Sequence, residues 1–141
     1  MIDLHTHTTA SDGRCAPAEL VDRAAAAGVS VLAVTDHDTT AAWDDVRARA
    51  RARELLAVPG IEITAIEDGR DVHVLGYFLD PADAALGTYL EAQRATRIAR
   101  VEAIGERLAA LGMPVDLRAV LAEARERTDR SLGRPGANRP R

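Results

Sequence analysis

The order of apolar and polar segments constrains the fold of this chain more than any other feature. Short, largely apolar runs occur at residues 1–4, 29–34, 56–61 and 72–75, and longer segments lie between the first three. Runs of this length are typical of buried strands, and a strand–helix–strand order places successive strands parallel to one another. The sequence therefore predicts an α/β fold that begins with a parallel sheet.

Local signals indicate where the two intervening helices begin and end. Pro17 suits the first turn of a helix, and Gly28 suits its end. Asp38 is the favoured N-cap of a second helix, with Thr39 and Thr40 as further candidates, and this helix should run to about Leu55.

The second half of the chain contains a turn and then helical periodicity. Residues 67–70, Glu-Asp-Gly-Arg, form a turn signal that is compatible with a hairpin. Apolar residues recur with helical spacing from after Asp80-Pro81 to Gly112, and a shorter helix is predicted from about Asp116 to Arg127.

All four histidines of the chain lie in or beside the predicted strands. In an extended segment the side chains of His5 and His7 point the same way, so they can chelate one metal ion. In α/β folds, functional groups collect at the carboxyl ends of parallel strands. The candidate metal ligands gathered in this way are His5, His7, Asp12, His37, Glu62 and His73.

The alternative to a metal site is a set of unrelated structural histidines. A single histidine in a strand is more often structural, and the His-x-His spacing also occurs by chance, but the six residues together favour a joint site. Imidazole and carboxylate ligands suit Zn²⁺, Mn²⁺ or Fe²⁺ better than Ca²⁺. Asp36 and Asp38 flank His37, and either could orient it by accepting its second ring proton.

Four segments resemble the successive motifs of the PHP (polymerase and histidinol phosphatase) domain family. They are IDLHTHTTASDG at 2–13, LAVTDHDT at 32–39, PGIEI at 59–63 and VHVLGY at 72–77. The resemblance implies the N-terminal portion of a distorted (β/α)₇ barrel, with a helical insertion after the fourth strand. Residues 1–80 would carry the metal ligands, 81–130 would form the insertion, and 131–141 would be an irregular truncated tail.

The resemblance also implies a centre of up to three divalent metal ions. His5 and His7 would hold one ion, Asp12 and His37 a second, and His73 the third, with Glu62 as a bridge. The remaining family ligands are a later histidine and an aspartate-x-histidine pair, but no histidine follows His73. We therefore expect a truncated chain that covers about the first half of a family domain and could be inactive alone.

Within the family, the sequence looks most like stand-alone phosphoesterases that act on nucleotides and short RNA. This implies that metal-activated water hydrolyses a phosphomonoester or phosphodiester, either a nucleoside 3′,5′-bisphosphate or a short RNA 5′ end. No catalytic residue beyond the metal ligands is expected. The alternatives are a histidinol-phosphate phosphatase and a noncatalytic truncated remnant that binds metal.

Two sets of arginines allow different interpretations. The i,i+2 spacing of the arginines at 47–53 spreads charge around a helix, which favours a solvated surface. Arg94, Arg97 and Arg100 recur at i,i+3, and Arg97 and Arg134 are the candidate substrate-binding residues for phosphate. A solvated basic face is an equal alternative for this second set.

Charge and hydropathy limit the partners of the chain. The net charge of −4 argues against binding DNA duplexes through bulk electrostatics, so the expected partner is a small phosphorylated substrate. Cys15 is the only cysteine, which fits a reducing cytoplasm. No run of apolar residues is long enough to span a membrane, so a cytoplasmic protein is predicted.

Overall fold

The structure is a computed structural model that describes residues 1–131, with side chains to residue 126. Its strands and helices alternate and then give way to a hairpin and two helices. In chain order they are β1 (Ile2–Thr6), α1 (Pro17–Ala26), β2 (Val31–Val34), α2 (Trp43–Ala52), β3 (Leu56–Glu67), β4 (Arg70–Tyr77), α3 (Ala84–Ala110) and α4 (Leu117–Ser131). The chain thus has the predicted α/β fold.

The four strands form one mixed sheet in the order β1-β2-β3-β4. β1 pairs parallel with β2, and β2 pairs parallel with β3, as the sequence predicts. β3 and β4 pair antiparallel, so the predicted hairpin is also confirmed. Its turn residues Asp68 and Gly69 have φ angles of 49° and 76°, which are the positive values that a two-residue type I′ turn requires.

The main core lies between the sheet and the first two helices. Its buried members are Val21, Val29, Leu32, Val34, Ala42, Val46, Ala50 and Leu55. Leu32, Val21 and Val46 are completely buried. On the outer side of this layer, Arg49 of α2 and Arg53, the C-cap residue of α2, form ion pairs with Asp22 of α1. Two of the arginines in the 47–53 set therefore connect α1 with α2.

The predicted start and end of α2 are wrong. The N-cap is Ala42, and Asp38 lies upstream with a φ angle of +51°. The backbone N–H of Asp38 donates to the carbonyl of Glu62 at 3.0 Å, because the segment after β2 continues to follow β3 instead of starting a helix. The helix ends at Ala52, and Glu54 then adopts a positive φ angle of 54°.

The two predicted helices of the second half are present. Asp83 caps α3, and its side chain accepts a hydrogen bond from the N–H of Leu86 at 2.7 Å. Leu90 is the buried anchor of α3 at 3% exposure, and α4 packs against α3 where Leu117 approaches Gly105. None of the helices in residues 1–131 is both long and apolar enough to cross a membrane. The predicted boundary at residue 80 remains a prediction, and residues 132–141 lie outside the described part of the chain.

Candidate metal centre

The parallel strands bring the candidate ligands to one edge of the sheet. His5 belongs to β1 and His7 follows it, while His37 follows β2. His37 and Glu62 form an isolated parallel bridge that extends the pairing of β2 with β3. His73, on β4, lies beside Glu62 because the hairpin folds β4 back along β3.

Glu62 lies within a strand, although the sequence predicted that it follows one. β3 pairs with β2 through Pro59 and then with β4 from Gly60 to Glu67. The strand therefore continues beyond the apolar run that marks its first half. This long strand lets Glu62 face ligands from both the parallel and the antiparallel parts of the sheet.

The carboxylate of Glu62 is the centre of the histidine cluster, and only 3% of the side chain is exposed. Its Oε2 lies 2.9 Å from His5 Nε2, 3.1 Å from His7 Nε2 and 3.8 Å from His37 Nε2. Its Oε1 lies 2.5 Å from His73 Nδ1. One buried carboxylate thus lies close to all four histidines.

Asp12 is the second carboxylate of the cluster. Its Oδ1 lies 3.3 Å from His7 Nδ1, and its Oδ2 lies 3.7 Å from His37 Nε2. In contrast to Glu62, the Asp12 side chain is 69% exposed. Asp12 therefore closes the cluster from the solvent side.

The six side chains form three overlapping groups whose candidate ligand atoms lie within 4.8 Å of one another. The groups are His5 with His7 and Glu62, His7 with Asp12 and His37, and His37 with Glu62 and His73. The Nδ1 atoms of His7 and His37 are buried and make no hydrogen bond among the described residues, although Asp12 Oδ1 lies 3.3 Å from His7 Nδ1. Since unpaired buried polar atoms are costly, these nitrogens and the mixed N/O donor set fit a transition-metal site.

The electrostatics of the cluster favour an ionised Glu62. Burial acts to raise the pKa of this carboxyl group, but hydrogen bonds from His5 and His73 and the charge of His37 outweigh it. The pKa of Glu62 therefore lies below its ordinary value. An anionic oxygen ligand is available at the centre of the cluster at neutral pH.

The two aspartates that flank His37 do not orient its ring, contrary to the sequence-based expectation. Asp36 accepts hydrogen bonds from Thr8 and Ser11, and Asp38 accepts one from Arg97. The ring nitrogen that either would have oriented, His37 Nδ1, has no partner in the described structure. These aspartates instead hold the segments around the cluster.

The candidate substrate-binding arginines have different outcomes. Arg97 Nη2 donates to Asp38 Oδ2 at 2.5 Å, which brings α3 next to the segment that carries His37. The Arg97 side chain is 53% exposed, and Asp38 is 9% exposed. Substrate binding by Arg97 remains a prediction, and Arg134 lies outside the described residues.

One contact that curls the sheet around the cluster was not predicted from the sequence. The Tyr77 hydroxyl donates to the carbonyl of Leu4 at 2.9 Å, although β4 and β1 are separated by two strands. The sheet must curl strongly for this bond to form. The only available signal was a tyrosine at the end of the predicted fourth strand.

The fold and the site define an α/β protein with a candidate metal centre at the carboxyl edge of its parallel strands. The chain belongs to the PHP domain family, whose sequence model matches residues 3–100. This range contains all six candidate metal ligands and, apart from Ile2, all of the recognised motifs and of the strands that carry the cluster.

Curated relatives of the chain have names that refer to phosphate-ester chemistry. A 5′-3′ exoribonuclease of Haemophilus influenzae is 41% identical over 112 residues, which cover 79% of this chain and 41% of the relative. A 3′,5′-nucleoside bisphosphate phosphatase of Chromobacterium violaceum is 38% identical over 112 residues, covering 79% of this chain and 39% of that protein. The chain therefore spans about two fifths of the length of these relatives.

A solved structure from Bifidobacterium adolescentis has the same fold. It is described provisionally as a metal-dependent phosphoesterase, and it is 36% identical to this chain with a TM-score of 0.77. The match covers 89% of this chain and 44% of that one. The predicted family and the predicted α/β fold of the barrel type are thus confirmed.

Proposed function

We propose that this chain binds divalent metal ions through His5, His7, Asp12, His37, Glu62 and His73 and serves phosphoester hydrolysis. The observation that carries the proposal is the convergence of four imidazoles and two carboxylates around the buried Glu62. The family and the names of the relatives agree with this chemistry. Up to three ions of Mn²⁺, Zn²⁺ or Fe²⁺ would suit the three overlapping groups.

The protein side chains have distinct roles in this proposal. Glu62 is ionised and lies close to every histidine of the cluster. Its carboxylate would therefore offset the positive charge of bound metal ions from the buried side of the site. Asp12 adds a second negative charge at the solvent side. When bound, the metal ions would activate water and neutralise charge on the phosphate.

Arg97 is the proposed phosphate-binding residue at the edge of the site. Among the described residues, its one hydrogen bond joins Nη2 to Asp38, next to His37. A guanidinium carries five N–H donors, so the others remain available to a phosphate oxygen. Arg134 is proposed as a second phosphate ligand from its sequence position alone.

The proposed substrate is a nucleoside 3′,5′-bisphosphate or the 5′ end of a short RNA, in line with the two named relatives. The test is phosphate or mononucleotide release by the purified chain with Mn²⁺. Wild-type protein should be compared with His7→Ala and with Arg47→Ala, whose ion pair in the described part of the chain is an exposed one with Asp44. Activity should be lost in His7→Ala and retained in Arg47→Ala.

Other outcomes of this assay separate the alternatives. Equal rates for wild type and His7→Ala would reject the metal-site assignment. Faster turnover of histidinol phosphate than of either nucleotide substrate would favour the histidinol-phosphatase alternative. Metal binding without turnover of any substrate would indicate a noncatalytic metal-binding chain.

A further inference from the structure

We propose that Asp36 is a positioning residue for the candidate metal centre. It would fix the loop of residues 8–15, and this loop would hold Asp12 against His7 and His37. The inference rests on the proposed function, because Asp12 matters here as a metal ligand.

Asp36 is bound tightly to the start of this loop. Asp36 is 2% exposed. Its Oδ1 accepts hydrogen bonds from the Thr8 backbone N–H and the Ser11 hydroxyl, and its Oδ2 accepts one from the Thr8 hydroxyl, all at 2.7 Å. Both carboxylate oxygens are therefore used to hold residues 8 and 11.

The loop is organised around Thr8. The carbonyl of Thr8 accepts hydrogen bonds from the N–H groups of Ser11 at 3.1 Å and Gly13 at 2.9 Å. Its hydroxyl also accepts a hydrogen bond from the N–H of Ala10 at 3.1 Å. A Cβ atom on Gly13 would lie 2.3 Å from the carbonyl oxygen of His7, so the loop passes directly over the peptide that follows His7.

Asp12 depends on this loop for its position. Its side chain is 69% exposed, and its contacts in the described structure are with His7, His37 and the Ser11 hydroxyl. Little packing surrounds the carboxylate, so the backbone of the loop decides where it points. The contacts thus connect Asp36 to Thr8, Thr8 to the loop, and the loop to Asp12.

The burial of Asp36 is consistent with the same role. A buried carboxylate destabilises a fold unless it is paired with a cation or fully hydrogen-bonded. The ion pairs of residues 1–126 do not include Asp36, whose described partners are neutral hydroxyl and amide groups. These hydrogen bonds satisfy both oxygens, so Asp36 can stay buried while it holds the loop.

The test compares two pairs of variants in the full chain. Asp36→Asn keeps the shape of the side chain and removes its charge. Thr8→Val removes the hydroxyl that donates to Asp36, whereas Thr8→Ser retains it. Amide hydrogen exchange of the metal-free protein reports the order of the loop, and titration with Mn²⁺ reports its affinity.

We expect Asp36→Asn and Thr8→Val to speed exchange at the amides of Ser11 and Gly13 at least about tenfold. Mn²⁺ affinity should fall about 10- to 100-fold, as for other residues that orient metal ligands. Thr8→Ser should match the wild type in loop exchange and in Mn²⁺ affinity. Exchange at Leu32, in the core, reports global stability, so in each variant that folds it should speed up by a smaller factor than exchange at Ser11 and Gly13.

Each contrary result has a distinct meaning. Unchanged exchange and affinity in Asp36→Asn would overturn the proposal, and so would faster exchange with unchanged affinity. If Asp36→Asn does not fold, the comparison of Thr8→Val with Thr8→Ser decides. If wild type binds no Mn²⁺, the proposed function fails, and the exchange data alone decide whether Asp36 holds the loop.

Discussion

Replacement of Glu62 by glutamine tests whether a single carboxylate organises the histidine cluster. The substitution keeps the size of the side chain and removes the charge that contacts all four histidines. Because the pKa of Glu62 lies below its ordinary value, the folded state favours the ionised form. Loss of the charge should therefore destabilise even the metal-free protein.

The magnitude follows from two hydrogen bonds, one to His5 and one to His73. Hydrogen bonds to charged groups contribute about 1.5–3 kcal/mol and neutral ones about 0.5–1.5 kcal/mol, so Glu62→Gln should lose about 1 kcal/mol per bond. The total of about 2 kcal/mol corresponds to a decrease of about 8 °C in Tm, at about 4 °C per kcal/mol.

The assay is thermal unfolding with and without Mn²⁺. A ligand at about 100 times its Kd stabilises a protein by about 2.7 kcal/mol, so wild type should gain several degrees and Glu62→Gln much less. Glu67→Gln, at the exposed end of the same strand, is the matched control. The reasoning is refuted if Glu62→Gln is as stable and as responsive to Mn²⁺ as the wild type.

Three further predictions concern the core, the helix pair and the edge of the site. Leu32 is fully buried, so Leu32→Ala should lower the free energy of unfolding by about 2–5 kcal/mol in urea titrations; a loss below about 1 kcal/mol would contradict the described core. Hydrogen bonds from Arg49 and Arg53 lower the pKa of Asp22 from 3.8 to about 2. The stability that Asp22 contributes should be complete above pH 4 and lost as the pH falls toward 2. In urea titrations, the free energy of unfolding of Asp22→Asn should therefore depend less on pH in that range than that of the wild type. An unchanged pH dependence would refute this. Arg97→Ala should raise KM for a phosphorylated substrate about tenfold or more, since hydrogen bonds to charged groups contribute about 1.5–3 kcal/mol, whereas an unchanged KM in steady-state kinetics would exclude a binding role.

Much of the fold could be predicted from local signals. Proline and glycine marked the ends of α1, and an Asp-Gly pair marked the hairpin turn. The start of α2 could not be predicted, because Asp38 has the side chain of an N-cap while its backbone is bonded to Glu62 across the sheet. That bond joins residues distant in sequence, and local propensity carries no information about it.

The residues of the candidate site could be predicted from their types and positions, but the contacts within the site could not. The four histidines and two carboxylates stood out because their residue types and strand-end positions suit metal binding. β3 continues beyond Glu62 because it pairs with β4. The apolar run at 56–61 gives no sign of this extension, so the sequence did not show where the strand ends. The partners of Asp36 and Asp38 were missed because hydroxyl and guanidinium groups are common on surfaces, and only the folded chain brings them to these carboxylates.

The central claim is that the six residues bind divalent metal, and the most direct measurement is anomalous X-ray diffraction at the manganese edge from crystals grown with Mn²⁺. We predict anomalous peaks within the cluster, in contact with Glu62 and with histidines from at least two strands. The absence of a peak among these residues, in crystals that contain the ordered cluster, would contradict the account.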